Sequence, residues 1–148
     1  MNTTSLKLLL ADDDADDCMI FRVALEELPI SSSLETVTNG DELMDLLNAR
    51  STTLPDIVFL DLNMPRKNGL ECLLEIKVNE KLKALTVIVY STSLDHEVIH
   101  RLYEKGAHRY IRKPADFSKL KAVIFKALNT TSKNNSLKPS RKHFVIQA

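Results

Sequence analysis

The sequence has little that would direct the protein to a membrane, to nucleic acid or to an oxidising compartment. Lysine plus arginine and aspartate plus glutamate number 20 each, so no net charge favours nucleic acid or an anionic membrane surface. No apolar run approaches the length that spans a bilayer, and Met1–Ser5 lack the basic and apolar parts of a secretion signal. With 148 residues, the chain is expected to form one cytoplasmic domain with a hydrophobic core.

Cysteine is also scarce. Cys18 and Cys72 lie far apart, and each falls in a helix-like apolar pattern. We expect two free thiols in a reducing compartment, and the alternative is a disulfide or a shared metal.

Strand-like and helix-like segments alternate five times along the chain. This alternation predicts an α/β fold with right-handed crossovers, a parallel sheet and helices on both faces. The first helix is expected to bury Met19, Ile20, Val23, Ala24 and Leu28. The predicted strands are Leu6–Ala11, Leu34–Val37, Ile57–Leu60, Thr86–Tyr90 and His108–Arg112. The predicted helices are Asp16–Leu28, one opened by Gly40 and Asp41, one opened by Gly69, Leu94–Lys105 and Asp116–Leu128.

The end of the chain differs in composition from the rest. Residues 130–148 are rich in Ser, Thr, Asn and Lys, which predicts a polar, basic and flexible tail after a domain spanning residues 1–129. An alternative is that the apolar tip Phe144–Ile146 docks on the domain or on a partner.

Charged residues end three of the predicted strands. Asp12 and Asp13 follow the first strand, Asp61 follows the third, and Lys113 follows the fifth. The carboxyl ends of parallel strands meet at one edge of the sheet, where ligands bind in such folds. Like charges about 5 Å apart repel by roughly 3 kcal/mol at an effective dielectric near 20. A cluster of this kind favours a hard cation with oxygen ligands, and we expect Mg²⁺.

These motifs resemble the receiver domain of two-component response regulators, over about Leu6 to Asn129. The resemblance implies a stand-alone, flavodoxin-like domain with a five-stranded, doubly wound parallel sheet of order 2-1-3-4-5. Four motifs carry it: Leu-Leu-Ala-Asp12-Asp13, Asp56-Ile-Val-Phe-Leu-Asp61-Leu-Asn63-Met-Pro65 with Gly69, Val-Ile-Val-Tyr-Ser91-Thr92, and Gly106-Ala-His-Arg-Tyr110-Ile-Arg-Lys113-Pro114.

The resemblance also implies roles for individual residues. Asp61 would accept a phosphoryl group from a sensor histidine kinase or a phosphotransfer protein. Asp12, Asp13, Asp61 and the backbone carbonyl of Asn63 would bind Mg²⁺, and Lys113 would pair with a phosphoryl oxygen.

The same resemblance implies how a signal would leave the site. Ser91 would donate a hydrogen bond to the phosphate, and Tyr110 would turn inward. The surface of the fourth helix, fifth strand and fifth helix would then dock an unidentified protein target, without direct contact to nucleic acid or membrane. Gly69 and Pro114 would be structural, with the Lys113–Pro114 peptide in the cis form.

Other interpretations stay open at this point. A phosphohydrolase of the haloacid dehalogenase type also uses an Asp nucleophile and Mg²⁺, but it needs a second acid where this chain has Asn63. A phosphorylation-independent binding module is another alternative. His96-Glu97-Val98-Ile99-His100 matches a zinc peptidase motif, but the third ligand of that motif is missing. Asp14, Asp16 and Asp17 are interpreted as helix-capping residues, with a contact from Asp14 to the metal shell as the alternative.

Overall fold

The computed structural model describes residues 5–49, 53–134 and 140–147, and it describes the side chains of all of these except 132–134. Strands and helices alternate as the sequence predicts. The strands are β1 (Leu6–Ala11), β2 (Ser32–Val37), β3 (Ile57–Leu60), β4 (Thr86–Ser91), β5 (Arg109–Arg112) and β6 (Val145–Ile146). The helices are α1 (Ala15–Glu26), α2 (Gly40–Ala49), α3 (Gly69–Val78), α4 (His96–Glu104) and α5 (Phe117–Asn134), followed by a 3₁₀ turn at Arg141–His143.

All paired strands are parallel, and the sheet order is β2-β1-β3-β4-β5-β6. The predicted α/β fold with order 2-1-3-4-5 is therefore confirmed, and one further strand extends it beyond β5. This strand was not predicted, because it has only two residues and follows a segment rich in Ser, Asn and Lys.

Helices cover both faces of the sheet. All four residues of β3 are buried, and they alternate between two hydrophobic clusters. Val58 and Leu60 belong to the cluster on the side of α2, α3 and α4. Ile57 and Phe59 belong to the cluster on the side of α1 and α5. A strand buried on both faces explains why this segment reads as a continuous apolar run.

The predicted inner face of α1 was largely wrong. Met19 is 61% exposed, and Ile20 is exposed as well, whereas Phe21, Ala24 and Leu25 form the buried face. The Phe21 ring meets the Phe59 ring edge-on, with 5.0 Å between the ring centroids. Two overlapping apolar stripes with helical spacing run along this helix, and the one carrying the aromatic ring is the buried one.

The end of the chain also differs from the expected flexible tail. Helix α5 continues to Asn134, past its predicted end at Leu128. Further on, Phe144 and Ile146 are buried against the domain, as in the docking alternative. The reason is that this short apolar tip finds the open edge of β5, where it adds backbone hydrogen bonds and apolar burial. Residues 135–139 lie outside the described residues.

The state of the cysteines and the character of the helices both relate to expectations from composition. Cys18 and Cys72 are both free, as predicted. Within the described parts of the chain, no helix combines the length and the apolar character that crossing a membrane requires.

Candidate functional site

The sheet places two acidic residues side by side at its carboxyl edge. Ala11 of β1 lies opposite Leu60 of β3, so Asp12 and Asp61 both occupy the next position along their strands. The Asp61 backbone N–H donates to the Ala11 carbonyl at 3.0 Å, and the Asp12 N–H donates to the Val37 carbonyl at 3.0 Å. Backbone pairing therefore fixes both residues at this edge.

Asp13 joins these two residues in an acidic cluster. One carboxylate oxygen from each of Asp12, Asp13 and Asp61 lies within 4.8 Å of the others. Asp12 is fully buried, Asp61 is 6% exposed, and Asp13 is exposed. The donor atoms are all carboxylate oxygens, which suits a hard divalent cation. The three carboxylates among the four groups that the resemblance assigns to a metal thus lie together at the carboxyl edge of the sheet.

The ammonium group of Lys113 lies close to three carboxylates. Its Nζ is 2.8 Å from Asp12 Oδ2, 3.0 Å from Asp17 Oδ2 and 3.6 Å from Asp61 Oδ2. Burial lowers the pKa of Lys113, but the hydrogen bonds to Asp12 and Asp17 outweigh burial and hold the pKa above its usual value. The lysine is therefore a fixed positive charge beside the carboxylates.

The contact of Asp17 with Lys113 was missed by the sequence interpretation, which gave Asp17 a capping role only. Asp14 does cap α1, since its side chain accepts hydrogen bonds from the backbone N–H groups of Asp16 and Asp17. The Asp14 N–H in turn donates to Asp12 Oδ1 at 3.0 Å. The first turn of α1 thereby orients Asp12 and brings Asp17 to the lysine.

The ionised form of Asp61 is disfavoured in this cluster. Burial raises the pKa of Asp61 from its usual 3.8 to about 6. The positive charge of Lys113 opposes this rise, whereas Asp12 reinforces it. The backbone N–H of Asn63 is 3.4 Å from Asp61 Oδ1 and favours the charged form only weakly. The charge on Asp61 therefore lacks full compensation from the protein.

Gly69 holds the loop after Asp61 close to α3. Its N–H donates to the Leu62 carbonyl at 2.9 Å. A Cβ atom at this position would lie 2.3 Å from the Asp61 carbonyl oxygen, so only glycine fits. The preceding residue, Asn68, begins α3 with a capping box that includes Glu71. These contacts fix the path of the loop between Asp61 and α3.

Ser91 of β4 and Tyr110 of β5 lie beneath the surface on neighbouring strands. Ser91 is fully buried, and its Oγ accepts a hydrogen bond from the Ser93 N–H at 3.2 Å. Tyr110 is also fully buried, and its hydroxyl donates to the Ser93 carbonyl at 2.6 Å. The Tyr110 side chain is thus already turned inward in this structure.

The Lys113–Pro114 peptide differs from the expectation. Among residues 5–49, 53–134 and 140–147, no peptide bond is cis, so this bond is trans. The trans isomer of an X-Pro bond is favoured by about 0.5–1 kcal/mol unless the surroundings select the other form. Lys113 makes its contacts with the trans bond, and Pro114 lines a groove of about 470 Å³ beside Tyr90 and Phe117.

The zinc peptidase motif does not form a metal site in the described chain. His96 and His100 are exposed on α4, and His100 Nε2 lies 3.3 Å from Glu104 Oε2. In the part of the chain that the structure describes, the cluster of potential metal ligands is formed by Asp12, Asp13 and Asp61.

A doubly wound parallel sheet with buried carboxylates and a lysine at its carboxyl edge defines a class of α/β domains with an acidic binding pocket. Within this class, the family model described as the response regulator receiver domain matches residues 8–125. The chain therefore belongs to the family of response regulator receiver domains, which serve two-component signalling.

Two regulatory proteins are similar to this chain over most of their length. The probable methanogenesis regulatory protein FilR2 of Methanothrix harundinacea is 32% identical over 79% of this chain and 77% of its own length. The response regulator Rcp1 of Synechocystis is 30% identical over 79% of this chain and 82% of its own length.

Solved structures agree with this fold. The phosphorylated cyanobacterial phytochrome response regulator RcpA has a TM-score of 0.78 and 32% identity, and the match covers 93% of this chain and all of that chain. The Mn²⁺-bound form of Rcp1 has a TM-score of 0.76 and 26% identity, and the match covers 91% of this chain and 99% of that chain.

Proposed function

We propose that this protein is a phosphorylation-dependent switch that accepts a phosphoryl group on Asp61. The donor would be a sensor histidine kinase or a phosphotransfer protein of a two-component system, in the cytoplasm. One observation carries the proposal: the Asp61 carboxylate, 6% exposed, lies within 4.8 Å of two other carboxylates and 3.6 Å from Lys113 Nζ. The negative charge on Asp61 thus lies close to other negative charges, and the residue keeps a small contact with solvent.

The acidic cluster fits a divalent cation, and Mg²⁺ is the ion we propose. Asp12, Asp13, Asp61 and the backbone carbonyl of Asn63 would hold it. When bound, it would offset the negative charge of the cluster and of the incoming phosphoryl group. The Mn²⁺-bound form of Rcp1 is similar to this chain over nearly its whole length, which supports a divalent ion of this kind.

The covalent bonds that change in the transfer step belong to Asp61 and the phosphoryl donor. An Asp61 carboxylate oxygen attacks the phosphorus atom, a P–O bond forms, and the P–N bond of a phosphohistidine breaks with its electron pair going to the imidazole. The product is an acyl phosphate. Lys113 Nζ, which is 3.6 Å from Asp61 Oδ2, would pair with a phosphoryl oxygen, and the Ser91 hydroxyl would donate to another.

The output would be a change of surface rather than a chemical product. Phosphorylation adds about −1.5 to −2 units of charge and strong hydrogen-bond acceptors. If Ser91 turns toward these acceptors, its bond with the Ser93 N–H changes, and the Ser93 carbonyl is the partner of the Tyr110 hydroxyl. The surface of α4, β5 and α5 would then bind an unidentified protein target, with no direct contact to nucleic acid or membrane.

Two other functions are less well supported. A phosphohydrolase of the haloacid dehalogenase type would need a general acid where Asn63 stands, and Asn63 has no acidic group. A binding module that works without phosphorylation would not need a buried carboxylate with a raised pKa next to a buried lysine. We therefore propose that the protein catalyses only its own phosphorylation and dephosphorylation.

Beryllofluoride, which imitates a phosphoryl group on a carboxylate, separates these functions. We expect saturable binding to the wild-type protein that requires Mg²⁺ and is lost in Asp61→Asn. Asp45→Asn, which removes an exposed charge on α2, is the matched control and should bind normally. Absence of binding to the wild-type protein would contradict the proposal. Steady turnover of a phosphomonoester would favour the hydrolase instead.

A further inference from the structure

The C-terminal segment lies directly on the buried switch residue of the domain. Phe144 is fully buried, and its ring centroid is 5.2 Å from that of Tyr103 and 6.5 Å from that of Tyr110. The Tyr110 N–H donates to the Phe144 carbonyl at 3.0 Å. Phe144 therefore contacts Tyr110 through both its ring and its backbone, and the segment that carries it lies on the side of β5 opposite β4.

Other contacts hold the same segment in place. Arg109, only 9% exposed, donates from Nη1 to the His143 carbonyl at 2.8 Å. Val145 and Ile146 pair with Tyr110 and Ile111, so the segment adds a strand to the edge of the sheet. Ile146 is 2% exposed and belongs to the cluster on the side of α1 and α5, whereas Phe144 belongs to the other cluster. Residues 140–147 thus cover the β5 edge and insert into both halves of the core.

Tyr110 also contacts the loop that follows β4. Its hydroxyl donates to the Ser93 carbonyl at 2.6 Å, and the Ser93 N–H donates to Ser91 Oγ at 3.2 Å. The Ser91 carbonyl in turn accepts from the Lys113 N–H at 2.8 Å. Burial raises the pKa of Tyr110, and the charge of Asp61 adds to this rise, so the phenol lies within electrostatic reach of the acidic cluster. A continuous set of contacts therefore joins Phe144 to the candidate site.

We propose that residues 140–147 act as an intramolecular ligand of the α4-β5-α5 surface, and that docking of this segment and phosphorylation of Asp61 favour each other. The proposal rests on the proposed function. With Phe144 in place, the space outside Tyr110 is filled, so the ring stays inward with its hydroxyl on Ser93. Undocking opens that space and releases Tyr110 from the inward position.

The inward position is the one that phosphorylation is proposed to favour, so the two events share one conformational equilibrium. Such a linkage is reciprocal, because each event must change the equilibrium constant of the other by the same factor. The docked segment would then form part of the α4-β5-α5 surface that a downstream partner binds, and the affinity of that partner would fall when the segment undocks.

The test measures this linkage in both directions with the full-length protein. The first measurement is the dissociation constant of beryllofluoride, in the presence of Mg²⁺, for wild type, Phe144→Ala and the control Gln147→Ala. Gln147 is exposed and follows β6. We expect Phe144→Ala to weaken binding by at least about fivefold. The control should stay within about twofold of wild type.

The second measurement needs no variant and remains valid if Phe144→Ala folds poorly. The Tyr110 amide is bonded to the Phe144 carbonyl, so its hydrogen exchange reports undocking of the segment. We expect beryllofluoride to slow this exchange in wild type by at least about fivefold.

The outcomes separate this inference from the proposed function. If wild type binds no beryllofluoride, the proposed function fails and this inference falls with it. If wild type binds it but Tyr110 exchange is unchanged, or a folded Phe144→Ala binds it as wild type does, the docked segment is passive and only this inference is overturned. Tighter binding by Phe144→Ala would also overturn it, because the segment would then oppose phosphorylation.

Discussion

Replacing Asp61 with asparagine should stabilise the metal-free protein, although it alters a buried polar residue. Oxygen atoms of Asp12 and Asp13 lie within 4.8 Å of Asp61, and at that greatest distance each would repel it by about 3.5 kcal/mol at an effective dielectric of about 20. Lys113 at 3.6 Å attracts Asp61 by about 4.6 kcal/mol at the same dielectric. The balance is about 2 kcal/mol against the charge on Asp61.

The raised pKa of Asp61 gives a similar value for the free energy that disfavours its charged form. A rise from 3.8 to about 6 corresponds to about 3 kcal/mol of preference for the uncharged form. We therefore expect Asp61→Asn to raise the free energy of unfolding by about 2 kcal/mol at pH 7. For a chain of this length, the melting temperature should rise by about 4–8 °C.

The assay is thermal and denaturant unfolding of both proteins with a chelator, and then with Mg²⁺ added. Bound Mg²⁺ stabilises the wild type by about 2.7 kcal/mol at one hundred times its dissociation constant, so the difference should vanish or reverse. The difference should also shrink as the pH falls from 7 toward 4. The pKa of Asp61 is higher in the folded state than in the unfolded state. Protonation of Asp61 in this pH range therefore removes the unfavourable charge from the folded wild type.

Asp45→Asn removes one exposed charge from α2 and serves as the control, with an expected change within about 0.5 kcal/mol. If Asp61→Asn is less stable than wild type in the chelator, the expected stabilisation is contradicted, because Lys113 would then fully compensate the negative charge of the acidic cluster. A stabilisation that persists unchanged in Mg²⁺ would refute the proposed metal site.

Three further outcomes follow from the packing. Gly69→Ala places a Cβ atom 2.3 Å from the Asp61 carbonyl oxygen, so unfolding should become easier by about 1–3 kcal/mol and Mg²⁺ binding should weaken in a titration. Phe21→Ala removes a buried ring from the inner face of α1 and should lower the free energy of unfolding by about 3–5 kcal/mol, measured with denaturant. Met19→Ala on the exposed face should lower it by less than about 0.5 kcal/mol. His100→Ala should leave beryllofluoride binding unchanged, and metal analysis of the purified protein should find no stoichiometric zinc.

The sequence alone predicted the strands and the position of the acidic cluster well. The bounds of β1 and β3 agree with the structure, because a run of fully buried residues ends abruptly where a charge begins. The strand order within the first five strands came from the resemblance to receiver domains, since alternation of strands and helices does not fix which strands are neighbours.

The inner face of α1 was harder to predict. Met19, Ile20 and Val23 have the same helical spacing as Phe21, Ala24 and Leu25, so periodicity supports either stripe. The choice between them depends on contact with Phe59 and Tyr90 from other parts of the chain. Such contacts are not visible in a local pattern.

The contacts of the C-terminal segment and of Asp17 were also hidden from sequence. A strand of two residues carries no periodic signal, and its pairing with β5 depends on an edge that only the folded sheet provides. Asp17 satisfies the preference for acids at a helix N-terminus, so its contact with Lys113 needed the position of α1 relative to β5.

Phosphorylation of Asp61 can be measured by intact-protein mass spectrometry after incubation with acetyl phosphate and Mg²⁺, followed by identification of the modified residue. We predict one added phosphoryl group, located on Asp61, that is absent from Asp61→Asn and from samples treated with a chelator. No added mass on the wild type, or an equal addition to Asp61→Asn, would contradict the central claim.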